Sequence, residues 1–202
     1  MSKNENNKKA CNIDGKVVFF ATGNINKFNE AKSILSPYGI SIGLLRMKGD
    51  EIQSDTLEEI AKSSVINAYN RTHLPIFVED AGLFIEALNG FPGPYAAYVY
   101  KTINNKGILK LMEKTKDRQA EFQSVIAYCD QNFIEPQAFD GESKGAITLS
   151  ERKPQGKTPF GFDPIFQPNG SGKSFAEMTT EEKNGFSHRA MAIRKFAEWF
   201  KK

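Results

Sequence analysis

The chain has 202 residues, 40% of them hydrophobic and 25% charged, with a formal net charge of +3. This is the make-up of one globular domain, or of two small lobes sharing a sheet, and no apolar run reaches the roughly 18–20 residues of a membrane span. The charge excess is small and sits largely in residues 1–9, with three lysines against one glutamate, which argues against a nucleic-acid binder.

Residues 1–14 are polar and Asn/Lys-rich, with no apolar stretch of the kind a secretory signal needs. They read as a disordered tail ahead of a single two-lobed domain over 15–202. The only cysteines, Cys11 and Cys129, form neither a metal-ligand spacing nor a disulfide framework. The cytoplasm is the expected compartment.

Lys16–Ala21 (KVVFFA) is a short run of β-formers and predicts a buried strand. Thr22-Gly23-Asn24 breaks it. Phe28, Ala31, Ile34 and Leu35 then recur at helical spacing until Pro37 and Gly39. Ile40–Leu45 predicts a second strand, and a polar loop runs from Met47 to Ser54. Asp55–Glu58 has the form of a capping box, opening a helix to about Tyr69. Pro75–Glu79 predicts a third strand that ends in two acids, Glu79 and Asp80, followed by a turn-rich segment from Gly82 to Pro94. Tyr95–Tyr100 reads as a brief strand or helical turn, and Gly107–Lys114 as a helix. Ala120–Tyr128 and Phe133–Phe139 alternate as antiparallel neighbours around a turn at Asp130–Asn132. Gly145–Leu149 is a further candidate strand and Arg152–Gly161 a loop. Ser187 is placed to cap a last helix with Ala190, Ile193, Ala197 and Phe200 on one face. Strand and helix alternate early and strands dominate the middle. The expected fold is therefore α/β: an elongated mixed sheet flanked by helices, with two lobes and a cleft between them.

Three groups of residues could carry chemistry. Thr22–Lys27 lies between a strand and a helix, where unpaired N–H groups, Gly23 and the Lys27 charge suit a phosphate. The plainer reading is a strand–helix turn capped by Asn24 or Asn26. Glu51, Glu79 and Asp80 could hold Mg²⁺, which takes one or two carboxylates plus substrate phosphates. A solvated acidic turn is the plainer alternative. Near the C-terminus, Phe160, Phe162, Asp163, Lys183, Ser187, His188 and Arg189 mix aromatics, charges and a histidine. Such rings can stack on a base or simply enter the core.

Together, Thr22–Lys27 (TGNINK), Glu51–Gln53 (EIQ), Glu79–Leu83 (EDAGL), Gly90–Pro94 (GFPGP), Phe160–Pro164 (FGFDP), Phe175–Met178 (FAEM), Glu182–Asn184 (EKN) and Ser187–Arg189 (SHR) closely resemble the inosine triphosphate pyrophosphatase family. The resemblance runs from Lys16 to Phe200. It implies a nucleotide cleft, a homodimer, and hydrolysis of ITP, dITP and XTP to monophosphate and pyrophosphate with Mg²⁺, for which Mn²⁺ can substitute. It further implies that Thr22, Asn24 and Lys27 hold the triphosphate and that Glu51 and Asp80 hold the metal, with Asp80 also the proton acceptor. Phe160, Phe162 and Asp163 would surround base and sugar; Lys183, Ser187, His188 and Arg189 would meet base or phosphates. The chain departs from the family pattern at Ala81, where serine is common, at Ser64, where a substrate lysine is common, and at Phe162, where tryptophan is common. A Maf-like pyrophosphatase, a silent nucleotide sensor and a nucleic-acid binder are the competing readings. The SHR segment counts against the first, the retained Glu51, Asp80 and Lys27 against the second, and the weak charge against the third.

Overall fold

The computed structural model of the protein describes residues 16–47, 52–152 and 160–202. The tail, Glu51 and most of the loop before Phe160 lie outside the described residues.

The elements in chain order are β1 (Lys16–Ala21), α1 (Ile25–Leu35), β2 (Ile40–Leu45), α2 (Leu57–Thr72), β3 (Ile76–Ile85), β4 (Pro92–Gly93), α3 (Ala96–Thr102), α4 (Asn104–Leu111), β5 (Gln119–Asp130), β6 (Phe133–Ile147), β7 (Phe166–Pro168), α5 (Thr180–Phe186) and α6 (His188–Phe200). They form a mixed α/β fold around one seven-stranded sheet of order β2-β1-β3-β5-β6-β7, with β4 beside β3. β1 runs parallel to β2 and β3; every other pairing is antiparallel.

Three departures from the sequence reading have physical causes. β3 does not end at Glu79. It continues to Ile85, held by an unbroken ladder to β5 from Ile76↔Cys129 to Ile85↔Ala120. Gly82 is not a turn residue: a Cβ there would lie 2.6 Å from the Gly93 carbonyl oxygen, so it marks the close approach of β4. Gly145–Ile147 is the end of β6 rather than a separate strand. Pro136 lies where the β5–β6 register shifts, and among the described residues β7 pairs only with Gly145–Ile147, so no strand bonds to that edge at Pro136. The cap of α2 is one residue later than predicted: Thr56 rather than Asp55, accepting from the Glu59 N–H at 3.3 Å.

Side chains alternate across a strand, and the burial follows that rule. One face of the sheet packs under α2, through Leu57, Ala61, Val65, Ile76, Val78, Val125 and Ala127. The other face carries two apolar clusters. At one end Phe20, Phe77, Ile126 and Tyr128 pack under α1 and α6. At the other, Leu83, Ile85, Ala120 and Phe122 pack against Phe162, Phe166 and Phe175. Between these clusters, on the same face, stand Glu79 and Ala81 of β3 and Ser124 of β5. A polar belt thus separates two apolar regions threaded by the same long strands.

Candidate active site

The edge of β3 is bordered by β1 at Ile76 and Phe77 and by β4 at Leu83 and Phe84. The stretch between, which contains Glu79 and Asp80, forms a notch in the sheet. β1 ends beside it, and the chain turns through Thr22–Asn24 into α1. Thr22 Oγ1 accepts from the Asn24 N–H at 3.1 Å, and Asn24 Oδ1 accepts from the Asn26 and Lys27 N–H groups at 3.0 and 3.4 Å. Of the two candidate caps, Asn24 is the one used. A Cβ on Gly23 would meet nothing within 4 Å, so space is open there for a ligand to approach.

α1 presents Lys27 and, one turn on, Glu30 toward the polar belt. Lys27 Nζ lies 2.8 Å from Glu79 Oε2 and donates to the Glu79 carbonyl oxygen at 3.2 Å. Glu79 Oε1 accepts from Ser124 Oγ at 2.6 Å and from Arg189 Nε at 3.0 Å. Arg189 Nη1 donates to Glu30 Oε2 at 2.6 Å. Lys183 Nζ reaches Glu30 Oε1 at 3.4 Å and Asp163 Oδ2 at 2.7 Å. Three cations and three carboxylates, from five segments distant in sequence, form one connected network.

Burial pushes the Glu79 carboxyl up, but Arg189 and Lys27 outweigh it and hold the group far below the usual carboxylate range. Burial likewise opposes ionisation of Glu30, and Arg189 with Lys183 wins there too. At Asp163 burial prevails and raises the carboxyl, despite the ammonium 2.7 Å away, so this is the least firmly charged carboxylate of the three. Burial opposes the Arg189 charge as well, and Glu79 and Glu30 more than restore it.

Arg189 is brought to the belt by a close approach. A Cβ on Gly141 of β6 would lie 2.1 Å from the His188 carbonyl oxygen and 2.6 Å from the Ala192 nitrogen, so only glycine lets the start of α6 sit on the sheet. Ser187 Oγ caps that helix, accepting from the Ala190 N–H at 3.4 Å. The His188 ring stacks on Phe122, centroids 4.7 Å apart at 9°. Its burial, then the Arg189 charge, hold its pKa well below the ordinary histidine value, so it is neutral at physiological pH. Its Nδ1 has no hydrogen-bond partner among the described residues.

The two aromatics of the FGFDP segment part company. Phe160 is half-buried, with Lys183 Nζ 5.6 Å and Arg189 Cζ 5.7 Å from its ring centroid. Phe162 is 4% exposed and meets Tyr100 edge-on at 5.4 Å within the second apolar cluster.

This arrangement spans nearly the whole chain, and so does the match to known proteins: the Ham1 family model covers residues 18–199. The chain belongs to the Ham1 family. A Methanopyrus kandleri protein named dITP/XTP pyrophosphatase is 51% identical over 184 residues, covering 91% of this chain and 96% of that one. A Thermococcus kodakarensis protein of the same name is 50% identical over 182 residues, covering 90% and 96%. Among solved structures, the Ham1 protein of Staphylococcus aureus superimposes with a TM-score of 0.77 at 28% identity, covering 91% of this chain and 97% of that one.

In this Ham1 chain Asp80 turns to the other side of the sheet from Glu79. It is half-buried, and its Oδ1 accepts from the Ala81 N–H at 3.0 Å. By strand alternation it points to the α2 face, whereas Glu79 points to the α6 face. Among the described residues no three histidine, cysteine or acidic side chains gather to hold a metal ion. With Glu79 engaged by Lys27, Arg189 and Ser124, Asp80 is the acidic side chain of the notch that could hold a metal ion. That set suits a hard cation completed by phosphate oxygens rather than one held in a protein cage. Glu51, expected as a second ligand, lies outside the described residues. Ser64 lies half-buried on α2, the helix covering the Asp80 face.

Two residues of the network, Glu30 and Ser124, are absent from the sequence reading. Glu30 had a signal, three positions beyond Lys27 on one helical face. So did Ser124, the one small polar residue among the large rings and branched side chains of the alternation Phe122, Ser124, Ile126, Tyr128.

Proposed function

We propose that the protein hydrolyses deaminated purine nucleoside triphosphates (ITP, dITP and XTP) to the monophosphate and pyrophosphate. The observation that carries the reading is the joining of Lys27, on the strand–helix turn, to Arg189, at the start of α6, through the single carboxylate of Glu79, with the Phe160 ring 5.7 Å from that guanidinium. A phosphate grip and an aromatic platform are thereby fixed to each other at a notch that also holds Asp80. The names of the Methanopyrus and Thermococcus relatives point to the same chemistry.

In this reading Thr22, Asn24 and Lys27 receive the triphosphate, aided by the α1 N-terminus. Phe160 stacks on the base; Phe162 supports it from the core. Asp163 and Lys183 line the sugar and phosphate side. Asp80 accepts a proton from the attacking water, a role worth about 10²–10⁴-fold. Asp80 and Glu51, with the phosphates, would hold Mg²⁺ or Mn²⁺, which would supply neutralising charge for the pyrophosphate leaving group. First-turn N–H groups of α6, by Ser187, His188 and Arg189, suit the 6-keto oxygen of hypoxanthine or xanthine and oppose the 6-amino group of adenine. Polar pairing of this kind can discriminate by up to roughly 10⁴–10⁵.

The exposed aromatics Phe91, Tyr95 and Tyr98 support a homodimer, since such rings are enriched in interface cores. No helix among the described residues is long and apolar enough to cross a membrane, and a cytoplasmic location completes the reading. The test is pyrophosphate release across ITP, dITP, XTP, GTP, ATP, UTP and their deoxy forms, with and without Mg²⁺. Release from the deaminated purines alone, dependent on the metal, is expected. Equal release from ATP and GTP would overturn the reading.

A further inference from the structure

Ser124 lies in the middle of the central strand β5, fully buried, and faces Ala81 across the ladder to β3. Its nearest neighbours on that face, Phe122 and Ile126, are apolar. A buried hydroxyl in such company needs a partner, and its partner is Glu79 Oε1 at 2.6 Å. Arg189 Nε donates to the same oxygen at 3.0 Å. Oε2 is left facing Lys27 Nζ at 2.8 Å and accepts no hydrogen bond of good geometry. The carboxylate is thus divided: one oxygen is anchored by two donors and the other faces the Lys27 ammonium. The Lys27 side chain is 19% exposed while that of Glu79 is 0% exposed, so Lys27 is the member of the pair that incoming phosphate can reach.

We propose that Ser124 is a positioning residue for phosphate capture: by anchoring Glu79 Oε1 together with Arg189, it keeps the buried carboxylate satisfied when Lys27 turns from Oε2 to a substrate phosphate. Removing the partner of a buried charge is strongly unfavourable. Without the Ser124 hydroxyl, Glu79 depends more on Lys27 and holds it back from the ligand. The cost falls on binding of the polyphosphate, in the ground state and the transition state alike, so it appears in KM rather than in kcat.

The inference rests on the pyrophosphatase reading for its kinetic arm only. Ser124→Ala removes one oxygen from a packed site and introduces no clash; Ser124→Thr keeps the hydroxyl. Each variant and the wild type are assayed for pyrophosphate release against dITP concentration. In a separate arm without nucleotide or metal, the shift in melting temperature on adding inorganic tripolyphosphate is measured. The expected result for Ser124→Ala is a KM for dITP raised on the order of tenfold, equivalent to about 1.4 kcal/mol. kcat should stay within about twofold and the tripolyphosphate shift should shrink, with both effects partly reversed in Ser124→Thr. An unchanged KM and an unchanged tripolyphosphate shift would overturn it, as would a fall in kcat at constant KM. A wild-type enzyme silent on every triphosphate would sink the pyrophosphatase reading instead, and the tripolyphosphate arm would still decide the role of Ser124.

Discussion

Glu79 and Asp80 are neighbours in the chain and face opposite sides of the sheet. Glu79 meets Lys27, Ser124 and Arg189 under α1 and α6, at 2.8, 2.6 and 3.0 Å. Asp80 faces the α2 side, half-buried, at the notch between β1 and β4. Two adjacent acids therefore stand in different surroundings, one among cations and one at the notch, and the proposed function gives them different roles.

The two should separate on mutation. Asp80→Asn is expected to leave the melting temperature within a few degrees and to lower pyrophosphate release by about 10²-fold or more, the scale of a lost general base. Near-normal turnover in this variant would remove Asp80 from the chemistry.

Glu79→Gln breaks a buried ionic group and leaves Lys27 and Arg189 short of a partner. Such changes cost about 3–5 kcal/mol. For a chain of this size that is a drop in melting temperature on the order of 10 °C. Thermal denaturation followed by circular dichroism reads it directly. A drop of under about 2 °C would mean that the network contributes little to the fold.

The aromatics of the FGFDP segment should behave as opposites. Phe160→Ala removes a half-buried ring and is expected to raise KM for dITP by roughly ten- to a hundredfold, the range for loss of one base stack of about 1–3 kcal/mol. Its melting temperature should hardly move. Phe162→Ala empties a core position that is 4% exposed, and is expected to cost about 3–5 kcal/mol in stability. Parallel kinetics and melting curves on the two variants test the contrast.

Acid should weaken the fold through the network. Glu30 and Glu79 have carboxyl pKa values below their ordinary 4.5 in the folded state. Their stabilisation is complete above that value and is lost as pH falls below it. Asp163 acts in reverse: its carboxyl lies above the ordinary 3.8, so its ionisation withdraws stability as pH rises through that range. Two depressed groups, one of them strongly shifted, outweigh one raised group. The melting temperature should therefore fall as pH drops below about 4.5, and less steeply in Glu79→Gln. A flat profile between about pH 5 and pH 3 would contradict this balance.

Metal removal gives the last prediction. In the proposed function the cation is completed by substrate phosphate, so chelation should abolish pyrophosphate release without shifting the melting temperature of the nucleotide-free protein. A large shift on chelation would indicate a structural ion instead.

Much of the fold was legible because its signals are local. The KVVFFA run, the spacing of Phe28, Ala31, Ile34 and Leu35, the alternation from Ala120 to Tyr128 and the cap at Ser187 all depend on residues within a few positions of one another. The end of β3 was misread because Gly82 looks like a turn from its neighbours alone. Its cause is the Gly93 backbone, eleven positions away and 2.6 Å from where a Cβ would stand. The site divided in the same way. Thr22, Lys27, Asp80, Phe160 and the Ser187–Arg189 segment stood out by residue type and order. Glu30 and Ser124 did not, since an exposed-looking glutamate on a helix and a serine in a strand are unremarkable until their partners are known.

The amino-acid sequence by itself determined the α/β class, most of the elements and the residue types that point to a nucleotide and its phosphates. Only the tertiary structure decided which charges pair, which ring of Phe160 and Phe162 enters the core, and that Glu79 and Asp80 face apart. The reason is the range of the forces. Periodicity and capping act over a turn or a strand. The Lys27–Glu79–Arg189 link joins positions 27, 79 and 189, and forms only where Gly141 lets α6 settle on the sheet between two apolar clusters.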